Sequence, residues 1–269
     1  MARTSLKNII NLVDSIKEEL PVEQAFLNDL TRSIELTDAK NSKPGSKTYK
    51  PSGMNCIRQS YYMITGTKDD GHNSTSSIIG ICQSGTDRHE RIQDAVLHMK
   101  ANNMDCEYIN VADFVEQRGL TEYLDIVQKP NFKKGEFETK LYHKTLNMSF
   151  LCDGIIKYKN HYYILEIKTE ASFKFNDRKG VDPSHYHQAT AYSIAFGIDD
   201  VLFLYECRDN CGKKAFLFHV TDEMKQNLIG YIETCDSYIK KLKVPPIPKD
   251  VAKKTCSWCN YKSVCNKDG

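Results

Sequence analysis

Apolar residues along the chain change period three times, and those changes divide it. From residue 5 to residue 36 they recur at helical spacing, as in Leu6, Ile9, Ile10, Val13 and Ile16. Pro21 interrupts that run, and the pattern predicts a second helix from Val22 to Leu36. Asn41 to Gly53 holds prolines, glycines and serines and reads as a linker. Cys56 to Ile64 returns to a periodic, aromatic-rich pattern. A polar loop at 68–77 leads into a long helical stretch from about Ile78 to Ala101.

The middle of the chain shifts to a strand period. Glu136 to Tyr142, Ser149 to Tyr158 and Tyr162 to Lys168 are alternating or β-branched, and the last two read as a hairpin turning at Lys159-Asn160. Asp182 caps a helix with Pro183 at its first position and Gly197 at its end. Val201–Glu206 and Lys214–Val220 read as strands joined by the turn at 209–212, and a last helix runs from about Asp222 to Leu242. Prolines and a cysteine-rich tail follow. There is no internal repeat and no low-complexity tract.

At 269 residues the chain is long enough for one large domain with a buried core. Its net charge of +2 does not announce a nucleic-acid binder, so any such contact has to come from local basic patches. No apolar run reaches the roughly 20 residues that span a bilayer, and the amino terminus lacks the apolar stretch of a signal peptide. These features predict a cytoplasmic or nucleoid-associated protein with no membrane partner.

In a reducing compartment the ten cysteines are not expected to form disulfides. Cys82, Cys106, Cys152 and Cys235 sit among apolar residues and read as small core side chains. Cys207 and Cys211 flank a turn-like Asp209-Asn210 without a second pair nearby, which argues against a metal pair. The tail is different. Cys256, Cys259 and Cys265 form a C-x2-C-x5-C cluster with three thiolates, where a tetrahedral or cubane site needs four. No second C-x-x-C lies close by, so the fourth ligand comes from afar, and Cys56 is the best candidate. Joining Cys56 to Cys256 closes a loop of about 200 residues, worth on the order of 5 kcal/mol of closure entropy. Thiolates suit an iron–sulfur cluster and zinc alike.

The hairpin carries the other chemistry. Glu166 and Lys168 are two apart and project from one face of a strand. With Lys159-Asn160 as a two-residue turn, Asp153 faces Glu166 across the hairpin at roughly 5 Å between Cβ atoms. Two carboxylates and an ammonium then converge. Carboxylates so placed repel unless a hard cation such as magnesium or manganese neutralises them. By itself an Asp…Glu-x-Lys pattern is more often an incidental surface ion pair.

Several motifs in order change that balance. The run 85–90 (Gly-Thr-Asp-Arg-His-Glu), Glu138, Asp153, Glu166-Ile167-Lys168 and the Gln188-x-x-x-Tyr192 pair together resemble the RecB-like branch of the PD-(D/E)XK nucleases. One departure is Cys152 in the place of the signature proline. The four cysteines resemble those of the iron–sulfur members, the AddB-type and CRISPR-associated RecB-like exonucleases. The resemblance covers roughly Cys56 to Cys265. It implies an α/β fold in which helices flank a central mixed sheet, clasped by a four-cysteine metal cluster. It divides the chain into an N-terminal helical segment over 1–50, of open role, and a nuclease domain over 51–269.

The resemblance also implies site roles. His89, Asp153, Glu166 and the Ile167 carbonyl would hold Mg2+ or Mn2+, with Lys168 as the catalytic lysine and Glu138 as support. Gln188 and Tyr192, which share a helix face, would orient substrate or Lys168. Cys56, Cys256, Cys259 and Cys265 would hold a 4Fe-4S cluster, zinc being the alternative. The expected activity is hydrolysis of DNA phosphodiesters, chiefly exonucleolytic on single strands or ends, with a helicase or recombination protein as a further partner. The lysines between Lys240 and Lys254 could pair with phosphates. Tyr61, Tyr62, Trp258 and Tyr261 either stack on bases or pack around the cluster. The rival readings are an endonuclease of the same superfamily and a non-catalytic nucleic-acid-binding module.

Overall fold

The computed structural model describes residues 20–41, 47–70, 75–249, 251, 253–257 and 259–268. The helix expected around Leu6 to Ile16, and Trp258, lie outside them. Contacts group the chain into two units, Met1–Lys43 with Asn73–Ile81, and Pro44–His72 with Cys82–Gly269.

In the first unit α1 (Val22–Asn41) follows Pro21 and buries none of its residues. Within the same unit the Ser76 amide donates to Glu35 Oε1 at 3.0 Å.

The second unit is α/β. A five-stranded mixed sheet has the order β1-β5-β6-β7-β8, and a three-stranded antiparallel sheet has the order β2-β3-β4. In the large sheet β1 (Cys106–Ile109), β5 (Gly154–Tyr158), β6 (His161–Glu170), β7 (Asp200–Cys207) and β8 (Lys213–His219) pair antiparallel except for β6 and β7. A parallel pair needs a long crossover, here residues 171–199. The small sheet holds β2 (Leu124–Gln128), β3 (Thr139–His143) and β4 (Met148–Cys152). The helices are α2 (Ile57–Thr65), α3 (Ser76–Leu97, of which the residues from Cys82 on belong to this unit), α4 (Val111–Gln117), α5 (Ser172–Asp177), α6 (Tyr186–Phe196) and α7 (Asp222–Lys240), then the short α8 (Lys253–Ser257) and α9 (Lys262–Lys267). None of the described helices is long and apolar enough to cross a membrane.

Two cores explain the apolar runs of β5 and β6. Ile155 and Ile164 join the large core with Phe203, Tyr205, Tyr192, Leu228 and Ile232. Ile156, Leu165 and Ile167 point to the opposite side, with Ile92, Cys106 and Tyr108. Strands covered on both faces lose the polar alternation of a half-exposed sheet.

The hairpin register is the one expected, with Tyr158 opposite His161 and Gly154 opposite Leu165. Lys159 and Asn160 both adopt positive φ, 48° and 64°, as a tight two-residue turn requires. The segment 149–158 is not one strand, however. It breaks at Asp153, and β4 and β5 belong to different sheets.

Other boundaries also differ from expectation. The end of the supposed linker is structural: Tyr49 is buried and its hydroxyl donates to Asp236 at 2.7 Å. Cys82 is exposed on α3 rather than in a core, because the helix buries the turn around Ile92 and Gln93 instead. Cys106, Cys152 and Cys235 are buried as expected.

Candidate active site

Asp153 occupies the single residue between β4 and β5, where the chain passes from one sheet to the other. The next residue has to be glycine, since a Cβ at Gly154 would meet the Tyr108 ring at 2.7 Å. That close approach lets the Tyr108 hydroxyl donate to the Asp153 carbonyl, which also accepts from Gln93 Nε2 at 2.7 Å. The side chain is tied as well: Oδ2 accepts the Ile167 amide hydrogen at 2.6 Å, and Oδ1 lies 3.3 Å from His89 Nδ1. Asp153 is 5 % exposed and Glu166 2 %.

His89 comes from α3, one turn before Gln93 on the same helix face. Glu138 lies in the extended residues just before β3, with Oε1 3.9 Å from His89 Nδ1. Ligand atoms of His89, Glu138 and Asp153 all fall within 4.8 Å of one another, so the three could hold a metal ion. Burial pushes the Glu138 carboxyl up, and Asp153 adds to the shift. Burial alone would lower His89, but its hydrogen bond to Asp153 and the surrounding carboxylates outweigh this and raise it.

Glu166 and Lys168 point together from β6 toward α6. Lys168 Nζ donates to Glu166 Oε1 at 2.5 Å and to Gln188 Oε1 at 2.9 Å. Gln188 Nε2 donates to Glu166 Oε1 at 2.7 Å and to the Tyr192 hydroxyl at 2.8 Å, and Tyr192 in turn donates to the Leu151 carbonyl at 2.6 Å. The i, i+4 pair on α6 is thus a bracket that clamps the carboxylate and the ammonium together. Tyr192 is 1 % exposed with its hydroxyl fully engaged, so it orients Gln188 and does not reach a bound substrate. Glu166 Oε2 is buried with no hydrogen-bond partner. Burial raises the Glu166 carboxyl, with Lys168 opposing and Asp153 adding. For Lys168 burial acts downward, yet the charges of Glu166 and Asp153 prevail and hold it above the ordinary lysine value. It therefore stays an ammonium.

Cys56, Cys256, Cys259 and Cys265 line one cavity of about 100 Å³ with Arg58, Gln59, Tyr62 and Lys262. Cys56 stands at the cap position of α2. Burial raises Cys259 and Cys265, and the neighbouring thiols, Cys56 and Cys256 among them, raise both further. Tyr61 and Tyr62 are buried; Tyr62 lines the cavity, and Tyr261 packs behind it at 5.6 Å between ring centres. Cys207 is buried, while Cys211 is exposed and accepts from Arg88 at 3.5 Å.

Three features had little or no signal in the sequence. Gln93 could have been found from its spacing to His89. Tyr108 and the Glu206 cluster could not. Glu206, fully buried, accepts from Arg88 at 3.0 Å, from Arg91 at 2.6 and 2.8 Å, and pairs with Lys213 at 3.0 Å. These residues meet across about 115 positions or more of sequence, except Lys213, and only packing joins them.

No protein-family model and no curated protein matches the chain. Among solved structures, the crystal structure of SSO0001 is similar at 15 % identity, covering 91 % of this chain and 98 % of that one with a TM-score of 0.44, a likeness too distant to carry an argument.

Proposed function

We propose that this chain is a metal-dependent DNA nuclease of the RecB-like PD-(D/E)XK type, with an iron–sulfur cluster at its four cysteines. The observation that carries the reading is the orphaned Glu166 Oε2, buried beside Asp153 and Lys168. A carboxylate oxygen buried without a partner is costly. A divalent cation would satisfy it, and by the motif resemblance Asp153, Glu166, His89 and the Ile167 carbonyl would hold the ion; His89, Glu138 and Asp153 present ligand atoms within 4.8 Å of one another. Such an ion supplies neutralisation of phosphodiester charge and acidifies water.

The chain's own residues account for the rest. Lys168 has three donor hydrogens, of which two go to Glu166 and Gln188. The third is left for an oxygen of the phosphate. Because Lys168 is held above the ordinary lysine value, it stabilises developing negative charge rather than removing a proton. Gln188 and Tyr192 keep the ammonium and the Glu166 carboxylate in register. Pre-placement of this kind lowers the reorganisation needed at the moment of reaction.

The four cysteines line one cavity, and by the motif resemblance it would take an iron–sulfur cluster, with zinc as the alternative occupant. Single-stranded DNA or DNA ends are the favoured substrate, by the motif resemblance, with a helicase or recombination protein as a possible companion.

The test is cleavage of end-labelled single-stranded and duplex DNA by anaerobically purified protein in Mn2+, Mg2+ or EDTA. Degradation in the metals, absent in EDTA and in Lys168→Ala, is the expected result. DNA binding without cleavage, unchanged by that substitution, would leave a binding module in place of an enzyme.

A further inference from the structure

We propose that His185 is a substrate-binding residue whose Nε2–H donates to a non-bridging phosphate oxygen of the DNA strand lying beside Lys168. The inference rests on the nuclease reading and adds a contact that the motifs do not assign.

One proton fixes the tautomer of His185. The Tyr205 hydroxyl accepts the Asp182 amide hydrogen at 3.1 Å and lies 3.0 Å from His185 Nδ1. Tyr205 is 1 % exposed, and no other described group takes its hydroxyl hydrogen. A buried hydroxyl that failed to donate would lose a hydrogen bond's worth of stability. Its hydrogen therefore goes to His185 Nδ1, which acts as an acceptor. A neutral imidazole that accepts at Nδ1 carries its own hydrogen on Nε2. The ring is neutral: burial first, then the charge of Lys168, pushes His185 down to about 3.

The location follows from the sheet. Tyr205 on β7 is the register partner of Lys168 on β6. His185 packs beside Tyr205, its ring plane 14° from that of Phe203 at 6.0 Å and 27° from that of Tyr205 at 6.1 Å. The charges that act on it most are Lys168, Asp182, Lys174 and Arg178, of which Lys174 is paired with Asp182 and Arg178 with Glu170. Lys168 keeps one donor hydrogen beyond its bonds to Glu166 and Gln188, so an anionic oxygen is the ligand that this hydrogen and the imidazole N–H would take together. His185 is partly exposed, and among the described residues nothing hydrogen-bonds to Nε2. The donor is available.

The segment that carries it is fastened. Arg178 donates to both Glu170 oxygens, at 2.5 and 2.7 Å, in a pair that is nearly buried on both sides. Its guanidinium sits 4.1 Å from the Tyr205 ring centre. Lys174 pairs with Asp182 at 2.8 Å, and Asp182 caps the turn that presents His185. A rigid neutral donor next to Lys168 gives direction to phosphate binding where the ammonium gives charge.

The alternative is that His185 only supports Tyr205, and two near-isosteric variants separate the readings. In His185→Gln the amide nitrogen stands near the Nε2 position and can donate outward. In His185→Asn the amide stands near the Nδ1 position and can only serve Tyr205. Anisotropy with a fluorescein-labelled single-stranded oligonucleotide in EDTA measures binding without cleavage. A substrate contact predicts that His185→Ala and His185→Asn weaken binding about tenfold, while His185→Gln stays within about twofold of the wild type. Wild-type binding in His185→Asn with loss in His185→Gln would overturn the proposal, as would equal binding by all variants. Cleavage by the wild type against Lys168→Ala in Mn2+ tests the nuclease reading separately. If cleavage is absent and the binding pattern holds, the phosphate contact stands without the enzyme.

Discussion

Lys168 Nζ reaches Gln188 Oε1 at 2.9 Å, and through that bond a strand and a helix share responsibility for one ammonium. The same glutamine holds Glu166 through its other end. A side chain that bonds an acid and a base simultaneously needs both an acceptor and a donor, which the amide supplies and a carboxylate or an ammonium does not.

Gln188→Glu and Gln188→Ala are therefore expected to lower kcat by about 10- to 100-fold while leaving DNA affinity near that of the wild type. The glutamate puts a second carboxylate against Glu166, and the alanine releases Lys168. Cleavage kinetics with parallel anisotropy titrations check this. A change confined to KM would mean that Gln188 meets substrate directly.

Asp153 has two tasks that substitution can separate. Asp153→Ala strands the buried Ile167 amide, which costs about 1–3 kcal/mol in urea unfolding. Asp153→Asn retains an acceptor for that amide and should keep most of the stability while losing Mn2+ affinity. Calorimetric Mn2+ titrations beside unfolding curves give both numbers.

The Glu166 carboxyl sets a pH dependence in the metal-free protein. Burial, opposed by Lys168 and aided by Asp153, raises it to about 7, against about 4.3 for an unfolded glutamate. Between these values the folded state binds more protons than the unfolded one, so stability falls as pH rises through the window. With EDTA present, the wild type should lose stability relative to Glu166→Gln between pH 5 and pH 8. Mn2+ competes with the same proton, so its affinity should climb over that range and level off above about 7. A pH-independent difference between the two proteins would refute the assignment.

Glu206 is fully buried among Arg88, Arg91 and Lys213. Removing it leaves guanidinium groups facing each other without an anion. Glu206→Gln should destabilise the protein by about 3 kcal/mol, measured by urea unfolding. A loss under about 1 kcal/mol would show that Arg88 and Arg91 rotate out to solvent at little cost.

Cys56→Ala is expected to remove iron and acid-labile sulfide as completely as Cys265→Ala does, with a similar fall in melting temperature. Elemental analysis of anaerobic preparations decides it. Stoichiometric zinc without sulfide would replace the cluster with a single ion.

What the chain determined on its own was local. The hairpin register and turn at Lys159-Asn160, the end of α6 at Gly197 and the strands on either side of 209–212 are set by period and turn chemistry acting over a few residues, whereas Asp182 caps a 3-10 turn at Pro183–His185 and the α-helix starts only at Tyr186. The Glu166-x-Lys168 and Gln188-x-x-x-Tyr192 pairs were legible for the same reason, since two and four residues return to one face of a strand or helix. Tertiary structure decided the rest. It broke the segment 149–158 at Asp153 and sent its halves to different sheets. It also packed Tyr49 into the core and brought Glu206 to Arg88 and Arg91. Burial and contacts between distant residues depend on which surfaces meet, and no periodicity along the chain encodes that.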